Sequence, residues 1–251
     1  MEESTITVKS AKKQGYFNIT KTAYFGFIIT IPLFLIYEIG TLITGAEIRN
    51  AAEVWILAFL MNLFHNWTLL AVAVIYILTF LFILLQRNRS SEKHPIQRAY
   101  WVISLAEALV YSWILAPVIN LVGGFLMSVG GNDGGAIVTS FGAGFFEELF
   151  FRVILFGGLF ALLTRIKRFG NHRILLFFVV AIGTSLLFSA VHYMGSLGDP
   201  FTLSSFLFRF FAGMLFCALF FLRGFGVAAW SHALYDVWVI SGIYQGVMNF
   251  F

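Results

Sequence analysis

Residues 140–163 read SFGAGFFEELFFRVILFGGLFALL. The run is long enough to cross a bilayer, which takes about 20 residues, and it carries three charges: Glu147, Glu148 and Arg152. An ionisable group at the middle of a membrane helix costs about 2.5–3.5 kcal/mol on insertion scales. Their spacing separates them. Glu148 and Arg152 are four apart, one helical turn, and can pair along one face. Glu147 points about 100° away on an α-helix of 3.6 residues per turn. The arginine neutralises one carboxylate and the other is left over. In a dry site a lone carboxylate protonates; in a water-filled cavity it is a general base. Arg152 and Glu148 therefore read as a supporting ion pair, and Glu147 as the residue for chemistry.

Outward from this stretch the composition is that of a membrane protein. The 251 residues are 60% hydrophobic and 11% charged, with a mean hydropathy of +0.89, against about 25% charged residues in soluble domains. The 31 phenylalanines suit lipid-facing surfaces. The net charge of +4 comes with no basic patch interleaved with aromatics, so nucleic acid is not expected as a partner. One cysteine, Cys217, excludes a disulfide framework within the chain. The first apolar run is too long for a signal-peptide core and lacks a small-residue cleavage site.

The fold expected is an all-α polytopic membrane helix bundle. Seven apolar runs are long enough to span, at about 24–44, 67–86, 99–122, 137–164, 174–195, 203–222 and 225–246. The shorter run 50–66 reads as an interfacial or re-entrant helix, or as an eighth span. Loop charges give an independent check, because Lys and Arg gather on the cytoplasmic side. The tail carries Lys9, Lys12, Lys13 and Lys21, and the following segment carries Arg49 alone. QRNRSSEKHPIQR and TRIKRFGNHR are basic, whereas the loop after residue 123 and the turn GSLGDP have no Lys or Arg. Arg223 marks the last turn. High and low alternate for seven spans, with the N-terminus cytoplasmic and the C-terminus outside. Residues 1–23 form the tail, 24–136 the N-terminal helices and 137–246 the core that carries the chemistry. The compact chain suggests a bacterial cytoplasmic membrane.

Other charges fall inside the spans. Glu38 and Glu107 read equally as helix–helix glue or as functional groups, and Arg209, near the start of its span, reads as snorkelling. His192 ends FSAVH in the fifth span; His232 and Asp236 lie at i, i+4 in HALYD of the seventh. A lone apolar-helix histidine is usually a satisfied core residue, but two beside a diacid helix point to a site. Depth agrees in part. Glu147 lies about ten residues, roughly 15 Å, from the outer end of its span, and Asp236 is similarly central. His192 falls too far out unless its helix is tilted or broken near Gly183.

The three motifs E-E-x-x-x-R at 147–152, F-x-x-x-H at 188–192 and H-x-x-x-D at 232–236, in that order on membrane helices, resemble the CPBP family of intramembrane proteases. That family includes the type II CAAX prenyl endopeptidases and bacteriocin-processing relatives. The resemblance covers residues 137–246. It implies that Glu147 activates the attacking water, that His192 and His232 hold the water and the oxyanion, and that Glu148 and Arg152 support them. Asp236 stands where the CAAX enzymes have asparagine. An ionised aspartate has no proton to donate, so Asp236 is protonated, orients His232, or ligates a metal.

Glu147, His192, His232 and Asp236 are plausible Zn2+ ligands, yet no H-E-x-x-H occurs and the spacing fixes no metal geometry. Glutamate-activated water without an obligatory metal is the preferred reading. G-x-G-D and G-x-S-G protease patterns do not occur. The expected partners are the lipid bilayer and a membrane-associated protein or peptide substrate; nothing specifies an oligomeric state. Two alternatives use the same residues: a transporter or proton relay, against which stands the lack of a visible repeat, and a non-catalytic immunity or scaffold protein.

Overall fold

The computed structural model describes residues 15–45, 50–89, 97–123, 134–195 and 198–243, and every regular element among them is helical. The order is α1 (Tyr16–Thr20), α2 (Ala23–Thr44), α3 (Ala51–Phe64), a 3₁₀ turn (His65–Trp67), α4 (Thr68–Arg89), α5 (Arg98–Gly123) and α6 (Gly134–Gly142). A π-helical segment (Ala143–Gly157) follows, then α7 (Gly158–Thr164), α8 (Lys167–Gly170), α9 (Arg173–Val191), α10 (Leu203–Arg223) and α11 (Phe225–Ile240). Polar N-caps start several of them. Thr22 accepts from the Phe25 amide, Asn50 from Glu53 and Thr202 from Ser205, each satisfying a donor that has no intrahelical partner.

Four helices are individually long and apolar enough to cross a membrane: Ala23–Thr44, Arg98–Ile119, Arg173–Val191 and Leu203–Arg223. The expected span 137–164 is helical throughout, but its backbone passes from α to π and back. Of the expected span 225–246, α11 accounts for the 16 residues to Ile240, and residues 244–246 lie outside the described residues. The run 50–66 forms α3, whose 14 residues reach about 21 Å, short of the roughly 30 Å hydrocarbon core. It ends at His65, whose φ of 50° breaks the helix before α4.

α11 is the centre of the bundle. It packs against α2, α5, α6, α10 and the π segment, and its sequence FGVAAWSHALYDV is rich in Gly, Ala and Ser. Small residues let membrane helices approach closely, where packing rather than water exclusion drives association. At Gly144 of the π segment an added Cβ would lie 2.6 Å from the Ala229 carbonyl oxygen and 2.7 Å from the Ala233 Cβ. The approach of these two elements therefore requires glycine. Phe145, Phe146, Phe151, Phe188 and Phe225 fill the space around the crossing, while Ile174, Leu175, Leu203 and Leu222 stand exposed on the outer faces of α9 and α10.

Glu107 proves to be helix glue. The Arg223 Nε and Nη2 atoms donate to its two oxygens at 2.5 and 2.6 Å, and the Tyr16 and Tyr111 hydroxyls at 2.8 and 2.9 Å. This joins α1, α5 and α10. Arg223, counted above as a loop cation, is buried in that pair; it contributes to the fold more than to orientation. Nor is α9 broken at Gly183. It runs unbroken to Val191 with His192 as its C-cap, so the site lies at the end of this helix and not along its middle.

Candidate active site

The π segment carries the two glutamates. Its i→i+5 hydrogen bonding is rare and occurs often at functional sites. It also puts more residues in each turn, so the 100° offset expected between Glu147 and Glu148 does not apply. The two carboxylates nevertheless have different neighbours.

Glu148 is fully buried, and one of its oxygens, Oε1, meets a guanidinium and an imidazole. Arg152 Nη1 lies 3.3 Å away and His232 Nδ1 lies 2.7 Å away. Glu148 is thus more than the counter-ion of Arg152; it also orients a histidine. The Arg152 guanidinium lies 4.3 Å from the Phe188 ring centroid and 5.5 Å from that of Phe216. Its nitrogens and Glu148 Oε2 make no hydrogen bond among the described residues, and the aromatic faces offset part of that cost.

The two histidines are fixed by their Nδ1 atoms. His192 Nδ1 is 2.8 Å from the Phe188 carbonyl oxygen, the previous turn of α9. His232 is held by Glu148 and by the Phe216 ring stacked on it, 4.4 Å between centroids and 21° between planes. Because each Nδ1 donates, each Nε2 carries a lone pair in the neutral ring and a proton only in the imidazolium. Both Nε2 atoms face Glu147. His192 Nε2 is 3.8 Å from its Oε1 and His232 Nε2 is 3.9 Å from its Oε2. Asp236, one turn along α11, places Oδ2 3.7 Å from His232 Nε2. Glu147, His192, His232 and Asp236 line one cavity of about 190 Å³. Glu38 and Glu107 are not in its lining.

The donor types would suit zinc, and tying each Nδ1 to an oxygen acceptor is how metal-bound histidines are usually oriented. The side chains are not gathered to match. Among the described residues no group of three or more His, Cys, Asp or Glu converges closely enough to hold an ion. No step below passes through a metal.

Two wall residues escape the sequence reading. Phe216 is the platform under His232. Arg209 does not snorkel: it is buried, lines the cavity, and donates to Asp199, Tyr193 and Ser205. Its spacing held a signal, since Arg209 and Phe216 are seven apart on α10 and share a face.

Comparison with known proteins adds one finding. Residues 134–238 match the family model described as Type II CAAX prenyl endopeptidase Rce1-like. Neither a curated protein nor a solved structure matches the chain. The matched segment runs from the start of α6 almost to the end of α11 and contains all three motifs. Residues 134–238 of this integral membrane protein match an Rce1-like domain, and that match supports the resemblance of this segment to the CPBP family of intramembrane proteases.

Proposed function

We propose that the chain is an intramembrane endopeptidase that hydrolyses a peptide bond of a membrane-associated protein or peptide with water activated by Glu147. One observation carries this reading: both oxygens of a buried carboxylate face an imidazole Nε2 within one cavity, at 3.8 and 3.9 Å. These separations are too long for direct hydrogen bonds, and the cavity these groups line has room for a water that contacts them from one side.

The ionised Glu147 takes a proton from that water as its oxygen bonds to the scissile carbonyl carbon. The carbonyl π electrons move onto oxygen, giving a tetrahedral oxyanion. Neutral His192 accepts a hydrogen bond from the water and aims it. His232, when doubly protonated, donates from Nε2 to the oxyanion, while Nδ1 stays on Glu148. Asp236, whose Oδ2 lies 3.7 Å from the same Nε2, borders the cavity beside that ring. As the C–N bond breaks, the nitrogen receives the proton held by Glu147, releasing amine and carboxylate. Seven crossings with a cytoplasmic N-terminus in a bacterial membrane complete the proposal.

Neo-N-termini tested in membranes from cells expressing wild type, Glu147→Gln or neither would identify the substrate. A set of termini present with wild type and missing with both others supports the reading. Identical termini in wild-type and Glu147→Gln membranes at equal expression overturn it, and favour a transporter or scaffold.

A further inference from the structure

His192 sits where α9 stops, and a helix end alone is a loose mount for a group that must aim a water. Past it, Gly195 turns with a φ of 84°, and the chain returns so that the Asp199 amide donates to the His192 carbonyl at 2.8 Å. The Asp199 side chain is in turn gripped by α10: Arg209 Nη2 donates to its Oδ2 at 2.5 Å. Arg209 Nη1 donates to the Tyr193 hydroxyl at 2.7 Å and to Ser205 Oγ at 2.5 Å. The Tyr193 hydroxyl donates to Ser205 at 2.8 Å. One guanidinium on α10 therefore holds the residue after His192, the residue that bonds the His192 backbone, and its own helix.

We propose that Asp199 and Arg209 are positioning residues for His192, acting as a strap that ties the turn after α9 to the first turns of α10. The proposal rests on the reading of His192 as the group that aims the attacking water. Asp199 is 48% exposed at its side chain. A pair open to solvent on one side contributes little to stability, so its function is geometric rather than stabilising. A misplacement of about 1 Å at a reacting group can cost on the order of 10²-fold in rate. Lysine cannot replace Arg209, because a point charge cannot serve Asp199, Tyr193 and Ser205 from one planar fork.

The test uses the full chain in detergent and two readouts. The first is hydrogen exchange of residues 189–202, which needs no substrate. The second is kcat and KM on a quenched fluorogenic peptide built on the cleavage site found by terminal profiling. With Asp199→Asn, the strap predicts faster exchange in 192–199, kcat lowered about tenfold or more with KM within twofold, and unchanged global thermal stability. Asp199→Glu should regain part of kcat, and Arg209→Lys should behave like Asp199→Asn. Unchanged exchange, unchanged kcat, or a loss carried by KM would each overturn the strap. Those outcomes leave Glu147 chemistry standing, whereas full cleavage by Glu147→Gln would remove that chemistry and leave the exchange result intact.

Discussion

Glu148 serves a cation and an imidazole through one oxygen, and that double duty makes the residues around it unequal. Arg152→Ala would leave the Glu148 carboxylate, at zero exposure, with His232 in place of a permanent cation. Breaking a buried pair in this way costs about 3–5 kcal/mol, and loss of thermal stability in detergent should report it. Glu148→Gln keeps an amide oxygen to accept from His232 Nδ1, but it removes the charge that balances both the buried Arg152 and an imidazolium. Its expected signature is a fall in kcat beyond that of Arg152→Ala at a comparable loss of stability, read by comparing turnover with thermal unfolding. Chelation is a third test at this scale. If Glu147 activates water unaided, 1,10-phenanthroline leaves turnover unchanged; loss restored by added Zn2+ would show a metal route.

At the scale of elements, the close crossing of the π segment with α11 sets the site. Gly144→Val would push side-chain atoms into the Ala229 backbone and into the backbone and side chain of Ala233. Overpacking of this kind costs about 1–3 kcal/mol, and it also parts Glu147 from His232. Stability and turnover should fall together, with unfolding and activity measured on one preparation. Much of this layer is legible in sequence. The apolar runs give the helices, and three short motifs give Glu147, His192, His232 and Asp236. Two features are not. The i→i+5 backbone of Ala143–Gly157 leaves no mark in the order of residues, because apolar side chains surround either kind of helix. The strap at Asp199 and Arg209 joins residues ten apart through a turn whose path depends on Gly195 and Gly198, and periodicity within α10 cannot report a contact to that turn. His192 reaches Glu147 from the C-cap of α9, a helix that was expected to run past it.

The whole molecule separates anchoring from chemistry. The Glu107–Arg223 pair, with Tyr16 and Tyr111, ties α1 and α5 to the end of α10 away from the cavity lining. The alternation of loop charges adds a topology that labelling can check. A cysteine placed at Lys12 should react with a membrane-impermeant maleimide after permeabilisation alone, and one at Asp133 in intact cells, with Cys217 buried as the background. The reverse pattern would invert the orientation. The central claim concerns one carboxylate, and turnover of the purified chain tests it most directly. Loss of a general base costs roughly 10²–10⁴-fold, so Glu147→Gln should lower kcat by at least about 10²-fold while thermal unfolding stays at the wild-type temperature. Wild-type turnover by a folded Glu147→Gln protein would contradict the account.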